Sequence, residues 1–347
     1  MAYTTIKKPS DYFNTKLYTG NGGTQSITGV GFQPDFTWIK SRSAGSWHHM
    51  GDVVRGADKR LQTNSTNAES TVTTGITSWD SDGFSLGSNG DTNASSETFA
   101  SWNWKANGTG VANTDGSISS TVSANTTSGF SIVSWTSLAS GSNYTVGHGL
   151  GSTPAMIIVK GRHESNSWQV YHHKNTSAPE TEYLDLSTAD ATADYPVWND
   201  TAPTSSVFTC GTWSGFDAGG TMIAYCFADV QGFSKFGSYT GNGNADGTFV
   251  YTGFKPAFVL LKHSSGGTDN WNLYDNKRLG YNANYSFLVP NESNAENTGA
   301  TTAPLDLLSN GFKIRASTGH SNSSGETYIY MAFAEQPLVG DNPATAR

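Results

Sequence analysis

Two adjacent histidine pairs, His48-His49 and His172-His173, are the first residues in this chain that invite a chemical reading. Imidazole is a common metal ligand. Neighbouring residues on a strand point to opposite faces, however, so one pair cannot easily clamp a single ion. We read partly exposed strand histidines in similar places, with a metal shared on a symmetry axis as the alternative. Asp80-Ser81-Asp82-Gly83 resembles the start of a calcium loop but lacks the later acidic ligands and the distal glutamate, so a hairpin turn is expected. Cys210 and Cys226 are the only cysteines and read as small buried thiols, because a zinc site needs more ligands at proper spacing. No Gly-x-Ser-x-Gly elbow sits between a strand and a helix, no carboxylate pair stands out for glycoside hydrolysis, and no glycine-rich loop opens a helix to cradle a phosphate. The expectation is a non-enzyme with no catalytic residues, no cofactor and no metal.

The elements that would position side chains come from one pattern met three times. A glycine, a proline two or three residues on, and an apolar strand ending in lysine occur at Gly31-Pro34-Lys40, Gly151-Pro154-Lys160 and Gly253-Pro256-Lys262. A tryptophan follows, at Trp47, Trp168 and Trp271, and reads as the start of a hairpin partner, either core or a ligand-stacking platform. Each unit closes on an alternating strand, Thr98 to Trp104, Thr221 to Phe227 and Thr327 to Phe333. Period two places Ala100, Trp102 and Trp104 on the core face, with Ile223, Tyr225, Phe227 and then Ile329, Met331, Phe333 as equivalents. Tyr18-Thr19-Gly20-Asn21-Gly22 and Tyr239-Thr240-Gly241-Asn242-Gly243 open the first and third units, and the second has diverged most.

These landmarks predict an all-β chain of three diverged, tandem β-sandwich domains of jelly-roll or lectin-like type. The expected divisions are an N-terminal anchoring segment at 1–16, units at 17–107, 129–233 and 234–338, a linker at 108–128 with almost no large apolar residue, and a polar tail at 339–347. Anchoring to a partner is assigned to Lys7, Lys8, Tyr12 and Phe13. Tyr328 and Tyr330 are read as an outward aromatic face on the last closing strand, and so as candidate contacts to a ligand or partner.

Composition bounds the partners. Charged residues make up 14 % of the chain, against about 25 % in an average domain. Aromatics reach 12 %, enough to build cores despite many Gly, Ser, Thr and Asn. A formal net charge of −8 argues against nucleic acid. No stretch approaches the ~20 apolar residues of a membrane helix, and the opening residues do not read as a secretion signal.

The strings YTGNG, GFQPDFTWIKSRS, DSDGFSLGS and ETYIYMAFAEQPL resemble a repeated domain of structural proteins from tailed phages of marine and freshwater bacteria. The resemblance covers roughly residues 10–338, the second unit departs from it, and it carries no catalytic residues. It implies a virion component of tail, fibre or other surface-exposed type, made in the host cytoplasm. Its expected partners are other virion proteins, further copies of itself (a trimer among the options) and a host surface glycan. The alternative is a capsid decoration or cement protein.

Overall fold

The computed structural model describes residues 3–138, 142–216, 219–299 and 302–345. The fold is all-β and sandwich-like, with several antiparallel sheets. Three inner sheets carry it, and each has the same order: an opening strand, the closing strand, the proline strand and a hairpin strand. In the first segment these are Phe13–Thr19, Thr98–Trp104, Phe36–Ser41 and His49–Asp52. In the second they are Phe130–Thr136, Thr221–Phe227, Met156–Gly161 and Gln169–His172. In the third they are Ser234–Thr240, Thr327–Pro337, Phe254–His263 and Asn272–Asp275. The registers agree as well, with Phe36 facing Trp104, Met156 facing Phe227 and Phe258 facing Phe333.

A smaller outer sheet covers each inner one. It comprises Gln25–Thr28, Gly83–Leu86 and Ile76–Asp80 in the first segment, and Tyr144–Gly147 with Val207–Cys210 in the second. In the third it comprises Phe249–Tyr251, Gly311–Ile314 and Leu305–Leu308. The closing strands are therefore covered on both faces. Their expected core faces do enter one core, but the opposite residues, Phe99, Ala224 and Tyr330 among them, enter three separate outer cores.

The three segments are not beads on a string. Their inner faces meet in a single central cluster, where Trp104 lies 6.4 Å from Phe227 and 5.7 Å from Phe333 between ring centroids. Polar contacts around this cluster run in one sense. At equivalent ends of the hairpin strands stand Asp52, His172 and Asp275. Asp52 accepts from the Tyr225 hydroxyl at 2.8 Å, the His172 ring bonds the Tyr330 carbonyl at 3.1 Å, and Asp275 accepts from the Trp102 indole at 3.0 Å. The first segment thus grips the second, the second the third, and the third the first. Such head-to-tail contacts close a ring when the rotation permits, and here they close inside one chain.

A second ring runs in the opposite sense. The Trp168 indole donates to the Gln62 carbonyl at 3.0 Å, the Trp271 indole to the Asp185 carbonyl at 2.9 Å, and the His48 ring bonds the Val289 carbonyl at 3.0 Å. His48, not Trp47, is the equivalent of the two tryptophans, since it follows the same register one step beyond the Ile39–His49 pair. Trp47 points to solvent and is 43 % exposed.

Two other expectations change. The stretch 108–128 is not a free linker, because Val111–Asn113 and Ser120–Asn125 pair and extend the second inner sheet beyond its opening strand. Strands with one solvated face need few large apolar residues, and in Ser120–Asn125 the buried Val122 supplies one. The boundary at residue 16 falls inside the opening strand Phe13–Thr19, so residues 13–16 belong to the fold.

The YTGNG string owes its composition to the same packing. Gly22 and Gly243 take φ of +71° and +67°, where an L side chain is strained. Asn93 and Asn322, both fully buried, exchange amide hydrogen bonds with Asn21 and Asn242 and so lock each turn. Asn93 also donates to the Gly87 carbonyl at 2.9 Å. Asn93→Ala would unlock the turn and leave the Gly87 carbonyl buried without its donor, and a loss of about 3 kcal/mol is expected. A urea titration reads it as a lower midpoint at unchanged slope, and a midpoint equal to that of the parent would show that the amide clamp is dispensable.

Candidate functional site

The residues singled out in the sequence mostly serve the fold. Tyr328 is fully buried and Tyr330 is 4 % exposed, both within the outer core of the third segment. The Tyr328 hydroxyl donates to the Gly319 carbonyl at 2.6 Å, and its ring stacks on Tyr239 at 5.1 Å. Neither tyrosine can meet a partner, because the outer sheet covers the face they occupy. Phe13 is likewise core, stacked on Phe333 at 5.1 Å, and Tyr12 packs edge-on against Phe233. Of the proposed anchor, Lys7 and Lys8 stay at the surface, where Lys8 pairs with Asp11 at 2.6 Å. The Tyr3 hydroxyl donates to the Gly253 carbonyl at 2.6 Å, which ties this segment to the third unit.

The histidine pairs are not equivalent in register, since Gln169 and not His172 matches His49. Of the histidines expected to be partly exposed, only His173 is half-buried, whereas His48, His49 and His172 are buried. Among the described residues, no group of three or more His, Cys, Asp or Glu could hold a metal ion. Asp80-Ser81-Asp82-Gly83 is a hairpin turn, in which the Asp82 carboxylate accepts from the Gly29 and Gly31 amides at 2.9 and 2.7 Å. Those bonds hold its carboxyl below the usual range. Cys210 and Cys226 are free thiols, buried in the second outer core, and burial pushes both up.

The surface that stands apart is the solvent face of the third outer sheet. At three matching positions the first segment places Ser26, Thr28 and Ser85, and the second places Thr145, Gly147 and Thr209. The third places Phe249, Tyr251 and Lys313. Phe249 is 44 % exposed and Tyr251 56 %. On the far side of the sheet the chain returns alongside Leu305–Leu308, where Asn284 bridges Leu305 and the Asn282 amide bonds Leu307 in both directions. Tyr281, Ala283 and Tyr285 all line one side of an open trough beside this run. Tyr281 is 53 % exposed, and its hydrogen bond with Tyr285 raises the Tyr285 phenol above its ordinary value.

Between these tyrosines and the charged strip Arg315–Asp306 lies an open trough of about 670 Å³. A second cleft of about 300 Å³ lies on the other side of Tyr281 and Asn282, walled by Asn276, Lys255 and Glu335. The side-chain Oδ1 of Asn276 is itself buried and has no hydrogen-bond partner among the described residues. The cations here are matched by carboxylates: Arg315 with Asp306 at 2.7 Å, Lys313 with Asp246 at 2.6 Å and Lys255 with Glu335 at 2.9 Å.

Residues 8–337 match the model of a family described as a domain of unknown function, DUF7483. The chain belongs to the DUF7483 family. No curated protein and no solved structure matches it. The aromatic face of this DUF7483 protein had a signal in its sequence: Ser26-Ile27-Thr28 and Phe249-Val250-Tyr251 stand at matching places after the YTGNG turn, with the central residue buried and its neighbours outward. Tyr281 and Tyr285 had no such signal, because the length of the loop after the hairpin strand differs among the segments of the DUF7483 fold.

Proposed function

We propose that this chain is a structural component of a tailed-phage virion, of the tail-fibre or appendage kind, exposed on the particle and binding the host surface without catalysis. The observation that carries the reading is the aromatic solvent face of the third outer sheet, at positions where the other two segments place only small residues. The resemblance of its motif strings to those of phage structural proteins supports it. So does the matching of charges around the clefts, which suits reversible contact with a polar, uncharged surface. Each contact would be weak, and many copies on one particle, as homo-oligomers or along a fibre, would convert it to avidity. The partners are then other virion proteins on one side and a host surface glycan on the other, with synthesis in the host cytoplasm.

Mass spectrometry of purified particles, followed by gold-labelled antibody on intact ones, tests the reading. Label on the tail is expected. Label spread evenly over the head would identify a decoration protein, and absence from particles would overturn the virion assignment.

A further inference from the structure

We propose that the trough between Tyr281, Tyr285 and the Arg315–Asp306 pair is a binding site for a neutral oligosaccharide, with the two phenol rings stacking on sugar faces and the ion pair bonding vicinal hydroxyls. The proposal rests on the host-surface reading above and gives it a place and a ligand class.

Three observations carry it. The first is that the aromatic side chains are not needed for the sheet. The first and second segments build the same outer sheet with Ser, Thr and Gly at the positions of Phe249 and Tyr251. Leaving such rings in water forgoes burial worth about 25 cal/mol per Å². Phe249 and Tyr251 lie on the strand across this sheet from the trough, and Tyr281 is exposed beside it, so exposed aromatics concentrate in the third segment, as on a contact surface.

The second is shape and size. The trough and the adjoining cleft, about 670 and 300 Å³, share Tyr281 and Asn282 as their common wall. Both volumes fall in the range of small-molecule sites. The trough is open along its length, so a chain of sugars can lie in it.

The third is chemistry. Arg315 has five N–H donors and spends one on Asp306 at 2.7 Å, with a looser contact to Asp246 at 3.5 Å. The remainder face solvent, as its side chain is 41 % exposed. The carboxylates beside each cation leave no positive field for a polyanion, and the chain as a whole carries −8. A peptide adding as a strand needs a free backbone row, which the Asn284–Leu305 bridge and the Asn282–Leu307 bonds occupy on this side. A neutral saccharide needs what is present: aromatic faces and a guanidinium fork with its carboxylate.

The full chain should be tested by saturation-transfer NMR and by a printed array. The probes are neutral hexasaccharides of glucose, mannose and N-acetylglucosamine, with a heparin hexasaccharide as the polyanion. At least one neutral probe is expected to bind. The Tyr281→Ala, Tyr285→Ala pair should weaken it tenfold or more at an unchanged melting temperature. Tyr281→Phe, Tyr285→Phe should retain most of the binding, and Ser26→Ala, Ser85→Ala on the equivalent face of the first segment should retain all of it. Binding of heparin alone, no neutral binding at millimolar concentration, or undiminished binding by the double alanine variant would each overturn the proposal. These outcomes are separable from the virion assignment, since a particle protein indifferent to sugars overturns only the site, and a sugar binder absent from particles overturns only the assignment.

Discussion

Acidification from pH 7 to pH 4 is expected to unfold this protein in a steep, cooperative transition. Burial, reinforced by nearby cations, lowers His48, His49 and His172 to about 3, from an ordinary value of 6.5. The hydrogen bonds explain why two of these rings resist a second proton. His48 Nδ1 accepts from the Trp38 indole at 2.8 Å, and His172 Nδ1 accepts from the Lys174 amide at 3.2 Å. In both, Nε2 carries the hydrogen that reaches a carbonyl of another segment, so protonating Nδ1 sets donor against donor. His148 has the same arrangement, with the Leu150 amide on Nδ1 and the Thr204 carbonyl on Nε2, and burial lowers it too. Among the described residues His49 has no hydrogen-bond partner on either nitrogen.

Between pH 3 and 6.5 the unfolded chain therefore binds protons that the folded chain refuses, and stability falls as pH falls through that window. Each histidine contributes about 1.4 kcal/mol per pH unit, so the three together approach 4. A fold worth about 5–15 kcal/mol is exhausted within about one to four units of such a slope. Tryptophan fluorescence against pH, repeated at several urea concentrations, measures it. His172→Asn should lower the slope by about one proton, whatever it does to the midpoint. Stability that stays level from pH 6.5 to pH 4 would show that the buried rings titrate normally.

Arg278→Leu is expected to cost about 3–5 kcal/mol, because it leaves a fully buried carboxylate without its counter-charge. Arg278 binds Asp275 at 2.6 Å and the Leu273 carbonyl at 2.7 Å, and it reaches Glu296 at 2.9 Å. Burial alone would raise Asp275, but the guanidinium beside it holds the carboxyl below its ordinary range. The same construction stands at Asp52 and Arg55, with Glu69 in the place of Glu296. Each glutamate also takes an arginine from another segment, Arg42 on Glu296 and Arg162 on Glu69. At the corresponding places the second segment carries His172 and Asn175, two groups uncharged at neutral pH. The double variant Asp275→Asn, Arg278→Leu should therefore lose less than Arg278→Leu alone. Urea titrations of the two variants decide it, and a double variant worse than the single would show that the pair stabilises on its own account.

The sequence made the strands and their order legible, because proline, terminal lysine and alternating aromatics are local signals. It did not show which faces would be covered. Tyr328 and Tyr330 alternate with Ile329 and Met331, and alternation alone cannot tell an outer sheet from solvent. The hairpin tryptophans mislead by one residue at Trp47 because residue type is not register: His48 occupies the position, and only the pairing of Ile39 with His49 reveals it. The shared core had no sequence signal at all, since nothing local to Trp102 announces Asp275 as its partner. The exposed Phe249–Tyr251 strand was legible by comparison of segments, and the trough beside Tyr281 and Tyr285 was not.

The ring of contacts closed within one polypeptide has a further meaning. Had three identical chains formed it, every surface change would appear three times, and an aromatic patch useful on one side would be a source of clumping on the other two. A single chain escapes that constraint. It can keep Ser26 and Thr145 where wetting is needed and place Phe249 once. The molecule is thereby polar in the geometric sense, with a front and two flanks, and an assembly built from it has to settle which way each copy faces.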